Sequence, residues 1–84
     1  MADADIELDC RGLKCPMPVL RAARALRGMA RGQVLAVTAT DKVALKDFET
    51  FCRESGHELL EIIAAGDHPA GPVHLFRIRH GAPT

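Results

Sequence analysis

Apolar and polar positions along the chain predict six elements in the order β-α-β-α-β-β. Strands are predicted where apolar residues alternate with polar ones or where β-branched residues cluster. Helices are predicted where apolar residues recur at steps of three and four. The predicted strands cover residues 6–9, 33–40, 57–65 and 73–80, and the two predicted helices cover residues 18–30 and the stretch between Asp41 and Gly56.

Glycines and capping residues set the predicted ends of the helices. Gly28 and Gly32 weaken the end of the first helix, and Gly32 is its predicted stop. Thr40 or Asp41 is expected to cap the second helix, because a side-chain oxygen at that position accepts an orphan backbone N–H. Gly56 supplies the left-handed exit that helices often use.

The predicted elements assemble into a two-layer α/β sandwich. Each helix carries one apolar stripe, and a four-stranded mixed sheet with both helices on one face would cover the two stripes. Residues 66–72, reading GDHPAGP, predict the turn before the last strand. In that last strand, Phe76 is out of phase with the other apolar positions. A length of 84 residues predicts one domain over residues 1–84, ordered from about residue 5 to residue 80, with a disordered GAPT tail.

Composition and charge argue against a nucleic-acid-binding protein. Lys and Arg together number 11, as do Asp and Glu, so the formal net charge is zero, whereas a nonspecific nucleic-acid binder is basic. The chain has no Trp or Tyr and only three Phe, too few for a platform that stacks single-stranded bases. We expect no direct nucleic-acid partner.

The three cysteines predict free thiols in a reducing cytoplasm, because the first residues carry no visible signal peptide and the cysteine count is odd. No apolar stretch approaches the ~20 residues of a membrane span, so no membrane partner is expected. The four histidines and three cysteines form no zinc-type pair of close ligands, which predicts that the protein binds no metal. No cofactor is expected.

Cys15 occupies an unusual position, directly before Pro-Met-Pro and the first predicted helix. Proline is favoured at the first helical position. If Pro16 is first, Cys15 is the N-cap and its sulfur accepts from the N–H of Met17. If Pro18 is first, Met17 is the cap, which suits a residue that precedes proline. Both alternatives place the thiol beside the positive end of the helix.

This position predicts a reactive thiol. The helix terminus, Lys14 and two nearby arginines, Arg11 and Arg21, are expected to lower the pKa of Cys15 toward neutrality. The thiolate is the nucleophile in sulfur exchange. Gly12 gives the preceding loop a tight approach, and the prolines are expected to stiffen the backbone that presents the sulfur.

Other residues that carry reactive groups have ordinary interpretations. Cys10, at the end of the first strand, and Cys52, on the apolar face of the second helix, are interpreted as small buried hydrophobic residues. Asp41 and Asp47 flank the second helix and are interpreted as a cap and a surface charge, with partner contact or proton handling as the alternative.

The stretch LDCRGLKCPMPVLRAARAL at residues 8–26 resembles the signature of the TusA/SirA family of small sulfur-carrier proteins. The similarity continues through GQVLAVTATD, DFETFCRESGHELL and FRIRHG, and spans roughly residues 7–81. Gly12 and Leu13 match the family's Gly-Leu, and Pro16, Met17 and Pro18 fall in its Cys-Pro-x-Pro motif. The family fold is β-α-β-α-β-β with both helices on one side of the sheet, the same order as predicted above.

The resemblance implies that Cys15 carries sulfane sulfur as a persulfide, on the border between a sulfurtransferase and a carrier. A cysteine desulfurase or rhodanese-like protein is the implied donor, and an acceptor such as a DsrE-like protein is the next member of the relay. Related carriers serve tRNA thiolation, molybdenum-cofactor maturation and sulfur oxidation. A mobile carrier of this kind is expected to be a monomer.

The chain departs from the family pattern at three places. Lys42 stands where a proline is common, Cys10 replaces a different residue, and the loop AAGDHPAGPVH is long and rich in proline, which is expected to alter a partner surface. None of these departures touches Cys15.

A basic stripe follows the first helix, where Arg21, Arg24, Arg27 and Arg31 are spaced by three or four residues. With Arg11 and Lys14 it is interpreted either as a solvated face or as a surface that docks acidic partners. Two other functions stay open at this point: a thiol redox protein that uses Cys10 and Cys15, and a non-catalytic regulatory binding module.

Overall fold

The computed structural model of the protein describes residues 4–81, and the last three residues of the predicted GAPT tail lie outside this range. It contains the six predicted elements in the predicted order, with two helices and a four-stranded sheet. The elements are β1 (Ile6–Cys10), α1 (Met17–Arg27), β2 (Val34–Ala39), α2 (Ala44–Ser55), β3 (Glu58–His68) and β4 (Gly71–Arg79).

The sheet is mixed, with strand order β1-β2-β4-β3. β1 and β2 are parallel, and β4 pairs antiparallel with both β2 and β3. One row across the sheet joins Leu8 to Val37, Val37 to Phe76 and Phe76 to Ile62. Because β1 and β2 are parallel, the loops that follow them leave the same edge of the sheet.

A single hydrophobic core lies between the helices and one face of the sheet. Phe48 of α2 is fully buried, and its ring centroid lies 4.7 Å from that of Phe76 on β4. The core also contains Cys10, Ala22, Leu26, Met29, Leu35, Val37, Ala39, Ala44, Cys52 and Ile78. The predicted two-layer sandwich is confirmed.

The opposite face of the sheet carries polar side chains at alternate positions. A row of registered residues there contains Glu7, Ala36, Arg77 and Glu61, and Arg77 forms an ion pair with Glu61. Alternation between an apolar inner face and a polar outer face is the expected pattern for a sheet covered on one side. Phe76 is in phase with the core, and Leu75 points to the other face, contrary to the predicted phase.

The predicted end of the first helix and both ends of the predicted turn at 66–72 were wrong. α1 ends at Arg27 with Gly28 as its C-cap, and Gly32, at φ +91°, belongs to the turn that leads into β2. β3 extends to His68 and β4 starts at Gly71, so most of the predicted turn at 66–72 is strand. Pairing across the hairpin gives these residues backbone hydrogen-bond partners, which local turn propensity does not take into account.

The second helix ends as predicted but begins differently. Gly56, at φ +84°, is the left-handed C-cap, and its N–H donates to the carbonyl of Cys52. Val43 is the N-cap residue, and no side chain caps this end. The side-chain oxygens of Thr40 and Asp41, which were expected to cap α2, accept hydrogen bonds from the loop that precedes α1.

Candidate functional site

Cys15 lies in the loop between β1 and α1, at the edge of the sheet where both helices begin. The residue is exposed, whereas Cys10 and Cys52 are buried in the core, and all three thiols are free. Cys15 is therefore the cysteine that a protein partner can reach without unfolding this domain.

The helix starts between the two positions considered from the sequence. Pro16 is the N-cap, Met17 is the first helical residue and Pro18 is the second. The N–H of Met17 donates to the carbonyl of Lys14 at 2.8 Å, so it does not hold the sulfur of Cys15. Cys15 precedes the cap, and the peptide bond between Cys15 and Pro16 is cis.

The loop is anchored to the body of the protein along its length. Gly12, at φ +82°, donates its N–H to Oγ1 of Thr40 at 2.9 Å, and its conformation is one that glycine adopts without strain. Leu13 packs against the core, and its N–H donates to the carbonyl of Cys10. Pro18, three residues after Cys15 in the chain, is fully buried. These contacts hold the loop so that Cys15 projects outward.

Two carboxylates contact Cys15 directly. Oδ2 of Asp41 accepts a hydrogen bond of 3.1 Å from the backbone N–H of Cys15. The Sγ–H of Cys15 donates to Oδ2 of Asp47 at 2.9 Å. From the sequence, both aspartates were interpreted as a cap and a surface charge, with partner contact or proton handling as the alternative. The contact of Asp47 with Sγ goes beyond the cap and surface-charge interpretation.

The electrostatic prediction for the thiol was wrong in sign. The hydrogen bond to Asp47, partial desolvation and the negative charges of Asp47 and Asp41 raise the pKa of Cys15 above its ordinary value. A neighbouring carboxylate disfavours the thiolate, because the thiolate would place a second negative charge beside it. The contacts at the site therefore favour the thiol over the thiolate.

The basic residues near the site are distributed differently from the prediction. Arg11 forms an ion pair with Asp9 through its Nε at 2.9 Å, so its charge is compensated and it is not part of a basic surface around the thiol. Lys14 is exposed beside Cys15, and Arg21 and Arg24 are exposed on α1. The charge of Arg21 acts on Cys10, where it partly opposes the rise in pKa that burial causes.

Two grooves border the sulfur-bearing loop. One, of about 480 Å³, runs along α1 and is lined by Leu8, Met17, Leu20, Arg21, Arg24 and Ala25. The other, of about 360 Å³, lies beside Lys14 and includes Lys42, Val43 and Pro72. Through Pro72, the β3–β4 hairpin contributes to this groove.

The described residues do not suggest a metal site or a membrane span. Among residues 4–81 no cluster of three or more His, Cys, Asp or Glu side chains is arranged to bind a metal ion. Over the same residues no helix is long and apolar enough to cross a bilayer.

Comparison with known proteins assigns the chain to a family. Residues 6–75 match the family model described as Sulfurtransferase TusA. The chain belongs to the TusA family. It is 54% identical over 61 residues to the sulfur carrier protein TusA of Allochromatium vinosum, covering 73% of this chain and 80% of that protein. It is 40% identical over 78 residues to TusA of Pseudomonas entomophila, covering 93% and 91% of the two chains.

A solved structure confirms the fold. The crystal structure of a SirA-like protein from Desulfitobacterium hafniense superposes with a TM-score of 0.69 at 23% identity, covering 90% of this chain and 97% of the other. With the family match, these similarities identify a TusA-like sulfur carrier and confirm the resemblance stated from the sequence.

Proposed function

We propose that Cys15 accepts sulfane sulfur as a persulfide from a cysteine desulfurase or rhodanese-like donor and passes it to the thiol of an acceptor protein. The observation that carries this proposal is the contrast among the three cysteines, of which Cys15 is exposed and the other two are buried. Sulfur transfer between proteins requires a thiol that can meet a second thiol at a protein surface.

The alternative redox function is disfavoured by the position of Cys10. Its side chain is fully buried, and burial raises the pKa of its thiol. Exchange between Cys10 and Cys15 would require Cys10 to leave the core and to ionise, both of which are opposed by its surroundings.

Mass spectrometry after incubation with a cysteine desulfurase and free cysteine tests the proposal. The wild-type chain is expected to gain about 32 Da, the mass of one sulfur atom, and reduction should remove it. Cys15→Ser should gain nothing, whereas the matched control Cys52→Ala should load like the wild type. Equal loading of Cys15→Ser and wild type would disprove the role of Cys15.

For docking, we propose that the partner binds along the α1 groove, with Lys14, Arg21 and Arg24 facing acidic side chains. Met17 and Leu20 are exposed apolar residues in this groove, at 39% and 54% relative accessibility, and the arginines border them. Apolar contact surrounded by complementary charge is typical of specific protein interfaces.

Charge reversal on α1 tests this docking surface. Arg21→Glu and Arg24→Glu should weaken binding to the desulfurase, and should do so most at low salt, where surface charges are least screened. Arg53→Glu, at the last turn of α2, makes the same change of net charge and is the control. Equal losses for Arg53→Glu and the α1 variants would contradict a localised docking surface.

The acceptor is proposed to be a DsrE-like or comparable relay protein, in tRNA thiolation, molybdenum-cofactor maturation or sulfur oxidation. The proposed compartment is the cytoplasm, because three free thiols are stable where reductants maintain them. Transfer of labelled sulfur from loaded chain to purified candidate acceptors would identify the receiving pathway.

A further inference from the structure

Two carboxylates contact Cys15, whereas the lysines next in the chain to Cys15, Asp41 and Asp47, which are Lys14, Lys42 and Lys46, are exposed. Asp47 accepts the hydrogen bond from Sγ, and Asp41 accepts the one from the backbone N–H of the same residue. The ion pairs formed by residues 4–81 join Arg11 to Asp9, Arg77 to Glu61 and Arg79 to Glu58. Asp41 and Asp47 therefore have no cationic side chain of the described residues paired with them.

Asp47 acts on the sulfur more directly than Asp41. Oδ2 of Asp41 accepts a hydrogen bond from a backbone N–H. Oδ2 of Asp47 lies 2.9 Å from Sγ and accepts a hydrogen bond from the thiol itself. Both aspartates are half-buried, so water screens them incompletely. A carboxylate at this distance stabilises the thiol and opposes both the thiolate and a persulfide anion on the same sulfur.

This arrangement conflicts with the reaction unless a partner changes it. Attack on a persulfide requires the thiolate, which the free protein disfavours. Resting against Asp47, the thiol is protected from oxidation and alkylation, since both reactions follow thiolate character. Activation must then come with docking.

We propose that Asp47 keeps Cys15 as a protonated thiol in the free carrier, and that a sulfur donor or acceptor activates it by placing a basic side chain against Asp41 and Asp47. This proposal rests on the proposed function, because it specifies how the persulfide site is switched on. The partner's loop that carries the reacting cysteine therefore has a Lys or Arg beside that cysteine.

The transfer step balances in atoms and electrons. Sγ of Cys15 attacks the terminal sulfur of the donor's persulfide, forming one S–S bond while the donor's own S–S bond breaks. The thiol proton leaves to solvent water once the partner's cation pairs with Asp47, and the departing donor thiolate takes a proton from solvent. A thiol and a persulfide become a persulfide and a thiol, with no net oxidation.

The surface of the carrier then requires two kinds of charge from its partner. The α1 groove presents Arg21 and Arg24, which form no ion pair within residues 4–81, whereas the rim at the sulfur presents Asp41 and Asp47. A partner that is acidic opposite α1 and basic opposite the aspartates fits in one orientation, which aligns the two cysteines. Like charges at either place would repel a wrongly oriented partner.

Thiol reactivity of the free protein tests the proposal without any partner. Rates of alkylation by iodoacetamide are measured across pH for wild type, Asp47→Asn and Glu49→Gln, the last being the matched control on an exposed position of α2. We expect Asp47→Asn to react several-fold faster near neutral pH, with its rate profile shifted to lower pH, and Glu49→Gln to follow the wild type. Circular dichroism and thermal unfolding check that the variants fold alike.

A pair of charged reagents tests the predicted preference for a cation. A trimethylammonium methanethiosulfonate should modify wild-type Cys15 faster than its sulfonate counterpart, and high salt should reduce the difference. Asp41→Asn combined with Asp47→Asn should reduce the preference to that of a small free thiol, and Asp47→Glu should keep most of the wild-type preference. A merely structural role of Asp47 would not alter reagent charge preference.

The outcomes separate this proposal from the proposed function. If Asp47→Asn matches wild type in both the rate profile and the reagent preference while Cys15 still loads sulfur, the role of Asp47 is wrong and the carrier function stands. If Asp47→Asn behaves as expected but Cys15 takes no sulfur from a desulfurase, the carrier function is wrong and the electrostatic control of the thiol stands.

Discussion

Asp41 and Cys15 lie 26 residues apart in the chain and are joined by a hydrogen bond of 3.1 Å, from the backbone N–H of Cys15 to Oδ2 of Asp41. The bond connects the loop after β1 to the loop after β2, because the two parallel strands end at the same edge of the sheet. It fixes the backbone of the reactive residue from outside its own loop.

Asp41→Ala should free the backbone of Cys15. Since a hydrogen bond to a charged acceptor is lost, we expect exchange of the Cys15 amide proton to accelerate about tenfold or more. Hydrogen exchange measured by NMR checks this. The amide of Gly12, which donates to Thr40, should keep its protection, and acceleration at both amides would show instead that the whole loop has detached.

Gly12→Ala should destabilise the protein, and Gly28→Ala should not. Gly12 has φ +82°, a conformation that costs an L-residue about 1–2 kcal/mol, and the nearest atom to an added Cβ is 3.7 Å away, so the cost is conformational and not steric. Gly28 has φ −92° and the same clearance of 3.7 Å, so alanine fits there. Urea unfolding of both variants checks the contrast, and equal losses would contradict it.

Phe48→Ala should cause a large loss of stability. The side chain is fully buried and its ring packs on Phe76 with centroids 4.7 Å apart, so truncation leaves a cavity that costs about 3–5 kcal/mol. Phe51, on the same helix, is only partly buried, and Phe51→Ala should cost less. Equilibrium unfolding measures both free energies, and the predicted order fails if Phe51→Ala is the more damaging change.

Acidification should destabilise the end of the sheet near His57. Burial and the nearby His80, whose ring centroid lies 4.6 Å away, lower the pKa of His57, and the Nδ1 of His57 accepts a hydrogen bond from the N–H of Gly81. Below the ordinary pKa of histidine the unfolded chain binds a proton that the folded chain resists, so the free energy of unfolding should fall as pH decreases from about 7 to about 5.

The variant His57→Asn tests this pH dependence, because an asparagine oxygen can accept the Gly81 hydrogen bond but cannot titrate. The slope of unfolding free energy against pH should be smaller in His57→Asn than in wild type. His74→Asn, on β4 and outside the His57–His80 pair, is the control. An unchanged slope in His57→Asn would assign the acid sensitivity to other groups.

Much of the fold could be predicted from periodicity, because the sandwich has one core and each element buries one face in it. Phe48 and Cys52 follow the helical spacing, and both are buried as expected. The β3–β4 hairpin was predicted less well, because its Gly- and Pro-rich residues are held in strands by cross-strand pairing. The local preferences of residues for turn or strand do not show which other strand a segment will pair with.

The sequence singled out Cys15 but did not predict the charge around its sulfur. Cys15 was singled out by its position before Pro-Met-Pro, and the motif residues Gly12, Leu13 and Pro18 anchor the loop around it. The contacts of Asp47 with the sulfur and of Asp41 with the backbone were not predicted as contacts, although both residues had been singled out at α2. Arg11 and Lys14 lie close to Cys15 in the sequence. Closeness along the chain does not decide which charges act on the sulfur.

By itself, the sequence determined the order of elements, the family and the cysteine that a partner can reach. These features are local, because the spacing of apolar residues, the turn residues and the short motifs each depend on residues that lie close together in the chain. Only the tertiary structure decided whether its surroundings favour the thiol or the thiolate of that cysteine. Parallel pairing of β1 with β2 brings the start of α2 against the start of α1, and the carboxylate of Asp47 thereby meets the sulfur of Cys15.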